Sequence, residues 1–220
     1  MNAQPRIYAV VPVKDPAIGK ARLSPILDAR QRRELCLFLA KRTLEFCAEA
    51  FGAQCTIVVT GAADIMRWAS QAHIQVIPEP PGGNGLNAAL ILGAAQAHRC
   101  GADGLLVVPA DLALLSVDEL RAAAKAIPGA PGCLIVPDRR DNGTNMLGLA
   151  PLREDLFAFG EGSLKRHCEL AHCAGCEVRI HRSAALALDL DLPEDYAAWR
   201  REIPTASESE KLHSESPRRY

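Results

Sequence analysis

The sequence predicts an α/β protein with a mostly parallel sheet covered by helices on both faces. Three observations predict it. The run Leu105-Leu106-Val107-Val108-Pro109-Ala110-Asp111 is apolar until it ends in a carboxylate, the pattern of a parallel strand buried on both sides. Strand-like segments alternate with helix-like ones, which implies right-handed crossovers between parallel strands. The 220 residues, 49% apolar and 23% charged, suffice for one domain with a sizeable core, read as residues 1–202 followed by a disordered polar tail over 203–220.

Composition narrows the class of function. A net charge of −1 favours neither nucleic acid nor an anionic membrane. No apolar run approaches the ~20 residues of a membrane span. Met1–Arg6 leads straight into a strand with no basic-then-apolar leader, so the expected location is the cytoplasm. Cysteines are scattered, several on core faces, where reduced thiols behave as small hydrophobes. His167, Cys168, His172, Cys173 and Cys176 form a separate cluster. Its Cys173/Cys176 pair has zinc-knuckle spacing, but part of the cluster falls inside a helix and no second pair exists.

Taken in order, Ile7–Val13 is the first strand, with Pro12 near its end where no ladder bond is lost. The loop Lys14–Leu23 follows, carrying Lys14, Lys20 and Arg22. Cations in a loop after a first parallel strand suit nucleotide phosphates, though a solvated basic loop would look the same. Neither a Walker A spacing nor G-x-G-x-x-G is present, which argues against a dinucleotide cofactor. Ser24-Pro25 and Asp28-x-x-Gln31 are helix-start signals, and the helix runs to about Ala50, where Gly52 ends it. Cys55–Thr60, a short helix around Ala63–Ala72 and a strand at Ile74–Ile77 come next. The Pro- and Gly-rich loop from Glu79 to Asn87 can approach a ligand closely, and the helix Leu86–Cys100 then offers its N-terminus.

Past the Asp111 strand, the sequence predicts a helix over Val117–Ile127 and strands at Cys133–Pro137 and Met146–Leu149, joined by a hairpin-like loop with its turn at Asn142-Gly143. Ser163 reads as the N-cap of a helix over Leu164–Ala171, with Gly160 and Gly162 leaving room for an anion. Val178–Ile180 and Leu186–Leu190 read as strands, and Pro193 as a first helical position. Asp189 and Asp191 share side-chain parity on an extended chain. With Asp111 they are able to hold Mg²⁺; alternatively Asp111 and Asp191 are caps and Asp189 is solvated.

Four groups of segments resemble one family. They are Val11-Pro12-Val13-Lys14 with Gly19-Lys20-Ala21-Arg22-Leu23; Pro109-Ala110-Asp111-Leu112; Gly143-Thr144-Asn145 followed by Phe159-Gly160-Glu161-Gly162-Ser163 and Arg166-His167; and Asp189-Leu190-Asp191-Leu192-Pro193-Glu194-Asp195. Their order and spacing, over about Ile7 to Trp199, resemble the phospholactate, phosphoenolpyruvate and phosphoglycerate guanylyltransferases of deazaflavin coenzyme (F-420) biosynthesis. The resemblance implies a Rossmann-like, glycosyltransferase-A type nucleotidyltransferase sheet. It implies that GTP and 2-phospho-L-lactate, phosphoenolpyruvate or 3-phospho-D-glycerate give a guanylyl diphospho acid and pyrophosphate, the product passing to a deazaflavin-transferring enzyme. By the same resemblance Asp111, Asp189 and Asp191 match Mg²⁺ ligands. Thr144, Gly160 and Ser163 match the positions that hold the acid, and Lys14, Lys20 and Arg22 the basic loop near the GTP phosphates. Pro12, Lys20, Gly85 and Asn87 fall on the nucleotide side. The chain departs from the pattern at Ala113, where Pro is expected, and at Met146, where a smaller residue is usual and the acid pocket is expected to change shape.

The chemistry needs no general base, since a phosphate nucleophile is already ionised, and the chain shows no Ser–His–Asp or Cys–His arrangement. Rival readings are a nucleotidyltransferase of the same fold acting on a sugar phosphate or molybdenum cofactor, a nucleotide-binding module without turnover, and a zinc-binding module. An apolar helix face is available for a homodimer contact.

Overall fold

The computed structural model describes residues 5–80, 85–129 and 131–202. The interior of the Pro/Gly-rich loop, 81–84, and the expected polar tail lie outside the described residues. Seven strands form one sheet in the order β3-β2-β1-β4-β6-β5-β7. β1 (Ile7–Val13), β2 (Thr56–Thr60), β3 (Gln75–Pro78) and β4 (Gly104–Val107) run parallel. β6 (Thr144–Ala150) is antiparallel to both β4 and β5 (Gly132–Pro137), and β7 (Glu177–Ile180) is parallel to β5. From β1 the chain moves outward to β2 and β3, then returns to place β4 on β1's other side. That reversal makes the carboxyl ends of β1 and β4 a topological switch point, where open α/β sheets bind ligands.

The continuous apolar runs are explained by burial on both faces. Ala9, Val11, Leu106 and Val108 pack on one side with α1 (Ala29–Phe51), α2 (Ala63–Gln71) and α4 (Val117–Ala126). Tyr8, Val10, Leu105 and Val107 pack on the other with α3 (Leu86–Arg99) and α5 (Ser163–Cys173). A third, smaller cluster gathers Leu23, Leu27, Leu35, Leu39, Ala113, Leu190 and Trp199, the last from α7 (Pro193–Glu202). It ties the basic loop, the segment after Asp111 and the C-terminal helix to the start of α1. α1 begins at the capping box, with Gln31 N–H donating to Asp28 Oδ1 at 2.8 Å and Asp28 N–H to Gln31 Oε1 at 2.9 Å.

Several local expectations are corrected. Ser24-Pro25 opens no helix, since the capping box at Asp28 supplies the nucleus. The loop between β5 and β6 is not built on an Asn142-Gly143 turn. Six residues are spanned, the left-handed backbone falls at Asp141 (φ 53°), and Asp138 organises the loop. The Asp138 carboxylate accepts from the N–H groups of Arg140 (3.1 Å) and Asn142 (2.9 Å). Leu186–Leu190 is no strand. Ser183 caps a short helix, α6 (Ala184–Ala187), whose alanines favour helix over the alternation of Leu186, Leu188 and Leu190. Ser163 is the first helical residue rather than the N-cap, which is Gly162 at φ 68°.

α3 crosses the sheet closely through Gly93. A Cβ there would overlap Val10 Cγ1 and lie 3.1 Å from Val59 Cγ2, both on buried strands. Gly93→Ala is expected to destabilise the protein by about 1–3 kcal/mol in urea unfolding, because overpacking outweighs the gain in helix propensity. Val10→Ala in the same chain should make the combined loss less than additive.

Candidate active site

The loop after β1 brings Lys20 back to the sheet edge in left-handed backbone (φ 54°). Its ammonium lies 2.6 Å from Asp111 Oδ2 and 2.8 Å from Asp191 Oδ1, with only 7% of the side chain exposed. Burial alone would lower the Lys20 pKa, but Asp111 and Asp191 outweigh it and hold the amine above its ordinary value. Asp189 is pushed up from the usual carboxylate range by burial and then by Asp111.

Backbone bonds set this convergence. Leu112 and Asp189 form an antiparallel bridge; Ala113 N–H donates to Leu188 O and Leu190 N–H to Asp111 O, each at 3.1 Å. The departure at Ala113 thus has a structural counterpart, since proline lacks that N–H. Arg42 Nη2 donates to Leu112 O (2.7 Å) and Ala113 O (2.9 Å), bracing the segment from α1. Asp195, not Asp191, serves the start of α7: its buried Oδ2 accepts from Leu192 N–H at 2.8 Å and Asp191 N–H at 3.3 Å. That leaves the Asp191 carboxylate for Lys20.

Beside this set lies a cavity of about 390 Å³ lined by Pro12, Lys14, Lys20, Leu86, Asp111 and Asp191 among others. Cys36 also lines it, its thiol pushed up chiefly by burial and so protonated at neutral pH. A second cavity, about 140 Å³, shares Asp191 and adds Asp189, Arg22, Arg139 and Arg140. Arg22 therefore faces the second cavity. Gly85 (φ 84°) caps α3, and among the described residues nothing lies within 4 Å of where its Cβ would be. Asn87 is engaged with the protein: its amide donates to Phe159 O at 3.1 Å and accepts from Phe159 N–H at 2.9 Å.

Thr144, Ser163 and Gly160 come together at the start of β6 and of α5. Thr144 N–H donates to Ser163 Oγ at 2.9 Å, and Thr144 Oγ1 lies 2.8 Å from His167 Nδ1. Ala158 N–H donates to His167 Nε2 at 3.1 Å. Gly160 (φ 131°) lies in the connecting loop, whose carbonyls at Ala158 and Glu161 accept from the Arg166 guanidinium. β6 runs antiparallel to β4, with Val107 opposite Leu147, so the start of β6 at Thr144 lies at the same sheet edge as the carboxyl end of β4, which leads to Asp111. The Thr144/Ser163 corner and the carboxylates thus share one edge. Met146 is wholly buried in the core under α1 and α4, so it does not shape that corner as expected from its size.

Sequence reasoning assigns no role to Arg42, although a cation among Leu39, Ala40, Thr43 and Leu44 is a signal. It puts His167 in a candidate zinc cluster, whereas both ring nitrogens are taken by Thr144 and Ala158. Among the described residues no three His, Cys, Asp or Glu side chains form a ready-made metal cage. The Asp111/Asp189/Asp191 set nevertheless has three carboxylates against one ammonium, and Asp189 bears the repulsion. That donor set fits Mg²⁺, which takes few carboxylates and completes its shell with water and substrate phosphates.

The fold is that of the nucleotidyltransferases. A nucleotidyl transferase from Methanothermobacter superposes with a TM-score of 0.62 at 18% identity, over 91% of this chain and 100% of that one. A 4-diphosphocytidyl-2C-methyl-D-erythritol synthase gives 0.59 at 17%, over 90% and 99%. The family is more specific. Residues 7–199 match the family described as "Guanylyl transferase CofC like". The phosphoenolpyruvate guanylyltransferase of Sphaerobacter thermophilus is 36% identical over 92% of this chain and 97% of its own. The 3-phospho-D-glycerate guanylyltransferase of Colwellia psychrerythraea is 32% identical over 86% and 89%. The chain belongs to the CofC-like guanylyltransferases.

Burial, and then Arg166, lower the His167 pKa from 6.5 to about 4. The unfolded chain therefore binds this proton first, so the contribution is fully present above 6.5 and is lost as the pH falls towards 4. Urea unfolding across that window should show a steeper acid loss for the native chain than for His167→Asn.

Proposed function

We propose that this guanylyltransferase uses GTP and a small phosphorylated three-carbon acid, with Mg²⁺ held by Asp111, Asp189 and Asp191. The observation that carries the reading is the Lys20-bridged carboxylate set at the switch point, beside a cavity lined by the basic loop. A phosphate oxygen of the acid attacks the α-phosphorus of GTP. The new P–O bond forms as the bond from the α-phosphorus to the bridging β-phosphate oxygen breaks, and pyrophosphate leaves with that electron pair. The nucleophile is anionic at neutral pH, so no side chain has to remove a proton.

The work left to the protein is to bring anions together and neutralise charge that develops on the leaving group. Lys14 and Lys20, lining the larger cavity, serve the triphosphate. Arg22, Arg139 and Arg140 line the smaller cavity across Asp189 and Asp191, and suit an anionic end of the acid or the departing pyrophosphate. Thr144, Gly160 and Ser163 hold the acid. Bound Mg²⁺ supplies Lewis-acid polarisation and charge neutralisation at the phosphates. Pro12, Gly85 and Asn87 support the nucleotide side, Asn87 through the Phe159 backbone it clamps. The product, a guanylyl diphospho acid, is an activated donor suited to a deazaflavin-transferring enzyme, consistent with an F-420 pathway role.

The protein, GTP and Mg²⁺ are incubated with 2-phospho-L-lactate, phosphoenolpyruvate and 3-phospho-D-glycerate separately, and products are read by mass spectrometry with a deazaflavin acceptor and its transferase as a trap. One acid should give pyrophosphate and a guanylylated or transferred product. Pyrophosphate only with a sugar phosphate would overturn the acceptor assignment. Asp111→Asn is expected to lower kcat by about 10²-fold or more at saturating Mg²⁺; unchanged turnover would remove Asp111 from the metal site.

A further inference from the structure

We infer that His167 is a positioning residue that fixes the hydrogen-bond polarity of Thr144, making its hydroxyl a donor to the bound acid. The inference rests on the reading that Thr144 touches the acid, and deepens it.

His167 is 1% exposed. A backbone amide can only donate, so the Ala158 N–H at 3.1 Å requires a bare lone pair on Nε2. The neutral ring then carries its proton on Nδ1, and Nδ1–H donates to Thr144 Oγ1 at 2.8 Å. With a lone pair of Oγ1 occupied, the Thr144 hydrogen is available, and among the described residues no protein acceptor takes it. Ser163 is arranged alike: its oxygen accepts from Thr144 N–H, leaving its own hydrogen available.

The opposite tautomer would reverse the arrangement. Thr144 would donate inward to Nδ1 and present lone pairs to the ligand. Lone pairs repel carboxylate and phosphate oxygens, which are acceptors only. The tautomer is held from outside the ring. Asn87 clamps the Phe159 backbone through two hydrogen bonds, and the Phe159 ring meets the imidazole edge-on at 4.8 Å between centroids. Ala158 is thereby fixed where its amide meets Nε2.

Two conservative variants separate polarity from packing. Asparagine places an amide donor near the Nδ1 position, and glutamine places a carbonyl acceptor near the Nε2 position. His167→Gln should raise KM for the acid by about tenfold, the scale of one hydrogen bond, with KM for GTP unchanged. His167→Asn should keep KM for the acid within about threefold. Equal effects of the two variants, or a parallel rise in KM for GTP, would overturn the inference. Thr144→Val is the reference. If it leaves KM for the acid unchanged, the placement of the acid fails; if it raises KM while His167→Gln does not, the placement stands and the role of His167 fails. Two-bond ¹H–¹⁵N spectra of the histidine-labelled native protein decide the tautomer directly, even if a variant does not fold. A resonance pattern with Nδ1 protonated and Nε2 bare, lost in His167→Asn, is expected; the reverse pattern overturns the inference.

Discussion

Asp111 and Asp191 reach the same point from distant parts of the chain, and two carboxylates meet there only if positive charge lies between them. Lys20 supplies it from a buried position, at the start of a short 3-10 helix over Ala21–Leu23. The contacts around the pair secure the same convergence. The Leu112–Asp189 bridge sets the height of the two loops, and Arg42 braces one of them from α1. Asp195 takes over capping of α7, so Asp191 stays free for the ammonium. The small cluster around Leu23, Ala113, Leu190 and Trp199 packs the three segments together. Charge, backbone pairing and burial act here on one geometry, as a preorganised electrostatic site requires.

Much of this is legible in the amino-acid sequence. The two-sided apolar runs of β1 and β4, and the capping box of α1, carry their meaning in the chain because burial and helix nucleation are local rules. Asp111 at a strand end is legible for the same reason. Most illegible features depend on tertiary partners, and one on a competing local signal. Alternating leucines suggest a strand, whereas Ser183 and three alanines make one turn of helix. Ser163 resembles a cap because nothing in the sequence shows that the Thr144 N–H needs its oxygen. His167 sits among cysteines in sequence, yet its partners are Thr144 and Ala158. Arg42 points from the amphipathic α1 at two carbonyls, and carbonyls leave no mark in a sequence.

The antiparallel strand β6 has a consequence for how the family can diversify. Asp111 and the basic loop stand on strand ends of the β1/β4 half, whereas Thr144 opens a strand that runs the other way and leans on α5. The two halves of the proposed site thus rest on separate supports, joined along the β4–β6 ladder and by the bond from Asn145 to Leu186 O. If the proposed acid site at Thr144 holds, loop and side-chain changes around β6 and α5 would retune the acceptor while the strand ends of the β1/β4 half stay intact. Such a division of labour suits a fold whose relatives carry the names of different three-carbon acids.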